Sequence, residues 1–352
     1  MKTKLRTLPG SIVRYAMVVA SFAGVLFGVA CKPSTESTGD QPKQPVILYS
    51  SVDERFLREV VATYERETGE RVELITDSEA GKTTGLVNRI RAEKDRPRAN
   101  VFWSSEQSQT VLLAREGLLA PYDSPSAADI DPLYRDKENL WTGFALRARV
   151  VAYDPEKTES ANLPKYWEDL AREDIASNLA IANPLFGTTR GHVAALAADW
   201  GSERLKSYLE QLVAHGVLVT DGNSTAVRRL IAGDVHYAMT DSDDVLVAQR
   251  KGHKIEMVFP ELKGAGILTI PNTVALLKGS EGHAAAHRLI DFILSPKVER
   301  MLAQSDSGNY PVRPSLCEAL NMPLFPANKV SPDQIADAMP EAIRICRETL
   351  LK

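Results

Sequence analysis

The segment from residue 45 to residue 119 reads "PVILYS", "SVDERFLREVVATYERETG", "RVELI", "TTGLVNRIRAEK", "ANVFWS" and "TVLLAREGLL" in succession. Short apolar runs alternate with stretches of helical period. In the first helical stretch Phe56, Leu57, Val60, Val61 and Tyr64 share one face, with Ser51 and Glu54 at capping-box spacing and Gly69 as a stop. Strand followed by helix, three times over, constrains the fold more than any other feature. Parallel strands need crossover connections, and the helices that make them cover a mostly parallel sheet.

The rhythm resumes after an irregular stretch at 121–141 rich in Pro, Asp and Tyr. "RVVAY", "NLAIAN", "GVLVT", "HYAMT" and "IEMVF" read as strands, separated by helical patterns such as "TTRGHVAALAADWG" and "TAVRRLIAGD". "GILTIPNTVALLKG" then supplies two apolar runs broken by Pro271, read as a return crossing between domains, before the helical "AAAHRLIDFILS" and "PKVERMLAQ". At 352 residues the chain has room for two α/β cores. The expected fold class is α/β with two halves, each a mostly parallel sheet flanked by helices. A formal net charge of -4, with no basic run interleaved with aromatics, excludes nonspecific nucleic-acid binding.

Lys2, Lys4, Arg6 and Arg14 precede the apolar run "YAMVVASFAGVLFGVAC", the pattern of a secretory signal, and the run is short for a membrane span. The polar stretch "KPSTESTGDQPKQP" that follows cannot build a core. The junction resembles a bacterial lipoprotein signal, in which Cys31 becomes the lipidated first residue of the mature protein, although Gly28 stands where Leu is usual. Cleavage by a general signal peptidase is the alternative. Either way residues 1–31 are an export signal and 32–45 a flexible tether, which puts the protein in the periplasm or cell envelope. Of the remaining cysteines, Cys317 and Cys346, both a disulfide and a pair of buried thiols stay open.

Polar residues cluster where strands give way to helices. "HYAMTDSDDV" places Asp241, Asp243 and Asp244 at such a turn, suited to capping the next helix or to holding a cation or amine in a crevice. Read from the residues, both roles stay open, with capping the natural one for Asp241. "GTTRGH" offers Thr188 and Thr189 at a helix start, either as a cap or as an oxyanion cradle. Ser50 and Ser51 end the first strand, and Asn223 and Ser224 open a further helix. Arg147 and Arg149 lie on the expected crossover, where one can meet an anion in the cleft and the other faces solvent. Asp53 reads as a surface helix start, and Trp103 and Trp141 as core.

Several phrases are similar to extracellular solute-binding proteins of the ferric-iron-binding type: "VILYSSVDERFLREVVATYERETGERVEL", "NVFWSSEQSQTVLLAREGLLAPY", "RARVVAYDP", "NPLFGTTRGHVAALAADWG", "IPNTVALLKGSEGHAAAHRLIDFILSPKVE" and "YPVRP". They follow the family's order from about residue 46 to about residue 315. The resemblance implies a type II periplasmic binding protein fold, with 46–146 and 270–320 as one lobe, 147–269 as the other and 321–352 as a C-terminal helical segment. It implies a non-enzymatic monomer, with no cofactor, that closes on a ligand and docks on the permease and ATPase of an ABC importer. Ferric members place a carboxylate at the position of Glu106 and neighbouring tyrosines where this chain has Asp243 and Asp244. These three residues are therefore the expected metal donors for Fe3+ with a companion anion, and Tyr310 is a family-like position near the hinge. A small aminoalkylphosphonate or phosphate-containing solute is the second expectation. A secreted hydrolase and a receptor-coupled sensor are the rivals from other classes. The hydrolase lacks any GxSxG, HExxH or zinc spacing.

Overall fold

The computed structural model of the protein describes residues 44–76, 83–326 and 328–352. The export signal, the Cys31 lipidation position and residues 32–43 of the tether lie outside them. The three βα units form as β1 (Val46–Ser50), α1 (Glu54–Thr68), β2 (Val72–Thr76), α2 (Thr84–Ala92), β3 (Val101–Ser104) and α3 (Gln107–Arg115). A short β4 (Leu119–Ala120) precedes the long β5 (Thr142–Tyr153). The second series is α4 (Glu173–Ala176), β6 (Leu179–Ala182), α5 (Gly187–Trp200), α6 (Ser202–Ala214), β7 (Leu218–Thr220), α7 (Asn223–Ala232), β8 (Tyr237–Asp241) and α8 (Ser242–Arg250). There follow β9 (Glu256–Val258), β10 (Glu261–Leu262), β11 (Gly266–Ile267) and the long β12 (Thr269–Leu277). Helices α9 (Ala284–Ile293), α10 (Pro296–Gln304), α11 (Pro314–Leu320) and α12 (Pro332–Thr349) complete the described chain.

Strand order along the sheet is β2-β1-β3-β12-β5-β8-β6-β7, with β4 beside β12 and β9 beside β5. The strands β2, β1 and β3 are parallel, as are β7, β6 and β8. The two crossover strands, β12 and β5, run antiparallel to these triplets and to each other. Each half is thus three parallel strands closed by a crossover, and successive strand residues face opposite cores. In the first lobe Leu48 and Trp103 pack with Leu57 and Tyr64 of α1, while Tyr49 and Phe102 pack with Val87 and Ile90 of α2. In the second, Val151 and Met239 meet α5, α6 and α12, whereas Val150 and Ala238 meet Val227 and Val245. Helix α12 lays Ile335, Met339 and Ile345 on the second lobe's core, and its Asp333 and Asp337 pair with Arg115 of α3 at 2.8 and 2.6 Å.

Two local expectations are corrected, and a choice left open is decided. The cap of α1 is Asp53, whose carboxylate accepts the Arg55 amide at 3.0 Å. Ser51 sits two residues too early and is drawn to Ser105. Strand β12 also runs straight through Pro271, because the ladder slips one residue between Pro271 and Asn272. The unpaired residue opposite is Ala145, with φ 47, and side chains replace its ladder bonds. Its N–H donates to Glu299 Oε1 at 2.9 Å, and its carbonyl accepts from Asn272 Nδ2 at 2.6 Å and Asn309 Nδ2 at 3.2 Å. Finally, Cys317 and Cys346 are buried free thiols, one donating to the Pro311 carbonyl at 3.3 Å and the other embedded in the second lobe's core.

Candidate functional site between the lobes

Asp241, the last residue of β8, lies directly across the ladder from Arg149 of β5. Backbone register therefore sets the pair before any side chain chooses a rotamer. Arg149 Nη1 reaches Asp241 Oδ1 at 2.5 Å, and Arg147, two residues earlier on the same strand face, reaches Oδ2 at 3.2 Å. Thr188 Oγ1 donates to Oδ2 at 2.7 Å. Asp241 stands at the cap position of α8 but makes no capping bond, against expectation. Arg149 is 1% exposed, and an uncompensated guanidinium at that depth costs far more than an uncapped amide. Neither arginine faces solvent, which corrects the expected division between them.

Around Arg149 the second lobe assembles a polar corner. Asn223 Nδ2 donates to Thr188 Oγ1 at 3.0 Å, and Thr189 Oγ1 donates to Asn223 Oδ1 at 3.2 Å. Arg149 Nε meets His192 Nδ1 at 3.3 Å. Burial, reinforced by the Arg149 charge, holds the His192 imidazole well below its ordinary pKa. Arg149 Nη2 and His192 Nε2 are both buried without a hydrogen-bond partner among the described residues. The threonines make no cap; that position of α5 falls to the exposed Phe186. Ser224 is exposed and outside the corner.

Asp243 and Asp244 occupy the first turn of α8. One oxygen from each of Asp241, Asp243 and Asp244 lies within 4.8 Å of the others. Asp244 Oδ2 accepts from Thr240 Oγ1 at 2.7 Å. Asp243 Oδ2 stands 3.7 Å from Arg147 Nη1, and its Oδ1 is buried with no hydrogen-bond partner among the described residues. Burial, aided by the charges of Asp244 and Asp241 against the pull of Arg147, lifts Asp243 to about 7. Burial and then Asp241 raise Asp244 as well. Burial opposes the charge on Arg147, but Asp243, Asp241, Asp244 and Glu106 together more than offset it.

On the first-lobe side the chain is drawn in through Arg147, whose Nη2 donates to the Ser105 carbonyl. Ser51 Oγ accepts the Ser105 amide at 3.0 Å, and Ser50 Oγ donates to the Trp103 carbonyl at 2.9 Å. Glu106 caps α3, accepting from the Ser108 amide at 2.7 Å and Ser108 Oγ at 2.5 Å. It lines a crevice with Ser108, Arg149, Thr188 and His192. Tyr310 pairs its backbone with Leu146 and packs its ring on Phe325; burial and the Asp243 charge raise its phenol pKa. Trp103 and Trp141 are buried core residues, as expected. Sequence reasoning passed over His192, Thr240 and Ser105. The first stands one helical turn beyond Thr188, and the second precedes Asp241, so spacing alone carried both signals.

Two α/β lobes threaded by two crossover strands, with a polar cluster where they meet, define a protein that takes a small solute between its halves. The chain belongs to the bacterial extracellular solute-binding protein family, whose profile matches residues 99–332. It is 25% identical over 313 residues to the Fe(3+)-binding periplasmic protein of Serratia marcescens, spanning 85% of this chain and 90% of that one. It is equally 25% identical to iron uptake protein A1 of Synechocystis, over 90% of this chain and 89% of the relative. The crystal structure of iron-bound HitA from Pseudomonas aeruginosa superposes with a TM-score of 0.74 at 25% identity, covering 87% of this chain and 99% of the other.

Proposed function

We propose that this protein captures ferric iron outside the cytoplasmic membrane and delivers it to the permease and ATPase of an ABC importer. The observation that carries the reading is the convergence of Asp241, Asp243 and Asp244, with Asp243 Oδ1 lacking any partner among the described residues. Ferric iron is a hard cation and takes anionic oxygen donors. Asp241 is saturated by arginine and threonine, so the donors we assign are Asp243 and Asp244, with Glu106 approaching from the first lobe. Arg147 and Arg149 then face a companion anion, which Thr188 and Asn223 help to seat. Names borne by relatives, iron uptake and Fe(3+) binding, support the cargo. The work is binding and closure, and we assign no catalytic step. Lipid attachment at Cys31 belongs to the same proposal; Cys31→Ser is expected to move the protein from the membrane fraction to the soluble periplasm.

The test is titration of Asp243→Asn/Asp244→Asn with ferric citrate beside the wild type. Asn preserves size and some capping ability but removes the charge. Tight ferric binding by the wild type and its loss in a folded double variant is the expected result; equal affinity returns both residues to helix capping. The corner of Thr188, Thr189, Asn223 and Arg149 favours a second reading, an aminoalkylphosphonate with its oxyanion there and its ammonium on the aspartates. A parallel titration with aminoethylphosphonate separates the two.

A further inference from the structure

Helix α8 carries more than the carboxylate turn. Asp243, Leu246 and Arg250 stand three and four residues apart, so they line one helix face. That face runs along residues 305–310, which follow α10 and lead into Tyr310 and Val312 of the first lobe's core. Contacts come in reverse chain order. Arg250 Nη1 donates to the Ser305 carbonyl at 2.5 Å and stands 3.4 Å from Asp306 Oδ1. Leu246 lies against Gly308. Gly308 has φ 53, and a methyl group there would fall 2.5 Å from Leu246 Cδ1. A glycine is thus favoured twice, by the left-handed backbone and by the close approach of a helix from the other lobe.

We infer that Leu246 and Arg250 are positioning residues for ligand capture: by seating on Gly308 and on Ser305–Asp306, they hold the Asp243–Asp244 turn against the first lobe in the closed protein. This rests on the solute-binding reading, and it names a contact remote from the ligand that helps set the closure equilibrium. A helix is rigid over two turns, so a wedge under Leu246 tilts the carboxylates away from Arg147 and Glu106 together. Arg250 is 40% exposed and is solvated again when the lobes part, so the clasp reinforces closure without locking it.

The experiment uses Leu246→Trp, which wedges the contact from the helix side, Gly308→Ala, which wedges it from the other, and the double variant Leu246→Ala/Gly308→Ala. Each is measured ligand-free by small-angle scattering and titrated with ferric nitrilotriacetate. Both single variants are expected to show a larger radius of gyration and at least tenfold weaker ferric binding, with native circular dichroism. The double variant is expected to return within threefold of wild type. Backbone strain from Ala at position 308 acts on open and closed forms alike, so it lowers stability without moving affinity. Unchanged compactness in both single variants overturns the inference. So does a double variant as impaired as Gly308→Ala alone. Scattering needs no ligand, so a wild type that takes up no ferric iron refutes the cargo and leaves the clasp decided by compactness.

Discussion

Asp243→Asn is expected to make the ligand-free protein more stable, by an amount that depends on pH. In the folded chain the Asp243 carboxyl titrates near about 7, because burial and two neighbouring aspartates oppose its charge. In an unfolded chain it titrates near roughly 3.9. A folded pKa above the unfolded one means the native state holds the proton more tightly, so stability falls as pH rises from about 4 to about 7 and stays low beyond. A separation of about three units corresponds to a ceiling of roughly 4 kcal/mol at pH 8. The side chain is 25% exposed and its titration is shared with Asp244, so about 2 kcal/mol is the working figure. Asn mimics the protonated acid at every pH and carries none of this cost. For roughly 300 residues, about 2 kcal/mol raises the melting temperature by about 3 °C. The assay is urea unfolding of chelator-stripped wild type and variant at pH 4.5, 6, 7 and 8. The gap should be smallest at the lowest pH, about a quarter of its full size, and widen through neutrality. A variant that is less stable at pH 8, or a gain that is flat across the series, would refute the reasoning. The predicted cost of keeping Asp243 is that of the cation site proposed for it.

The same chemical change two residues earlier should act with the opposite sign. Asp241→Asn strips Arg149 of its counterion at 1% exposure, and a loss of about 3–5 kcal/mol is expected in the same unfolding assay. Arg313→Met should cost about 4 kcal/mol, because it leaves the charge and Oε2 of the fully buried Glu299, and the Ser126 and Leu294 carbonyls, without the guanidinium that serves them; adding Glu299→Gln should recover part of it in a double-mutant cycle. His192 has a folded pKa depressed well below its unfolded value, so it contributes stability that is present above about pH 6.5 and is lost as pH falls, by up to about 1.4 kcal/mol per unit. His192→Gln should flatten that part of the stability-against-pH curve between pH 7 and 5.

What the sequence determined by itself was local in origin. Period-two and period-3.6 patterns specified the βα units, and with them the parallel triplets of each lobe and the strand ends at which polar residues collect. Asp243, Asp244, Thr188 and Asn223 were legible because a strand-to-helix turn in such a sheet opens on a crevice wherever it occurs. The roles within that collection were not. Asp241 and Asp243 are the same residue type in one turn, yet the first is saturated and the second left with a bare oxygen. The difference is Arg149, which ladder register delivers from 92 residues away. Ser51 and Asp53 competed for one cap, and the position of Ser105, 54 residues on, drew Ser51 away. The meeting of Leu246 with Gly308 is likewise invisible until α8 and the segment after α10 come together. Caps, ion pairs and close packing all draw on the same few donors, acceptors and gaps. Which contact wins is decided by desolvation at burial depths that only the assembled lobes create.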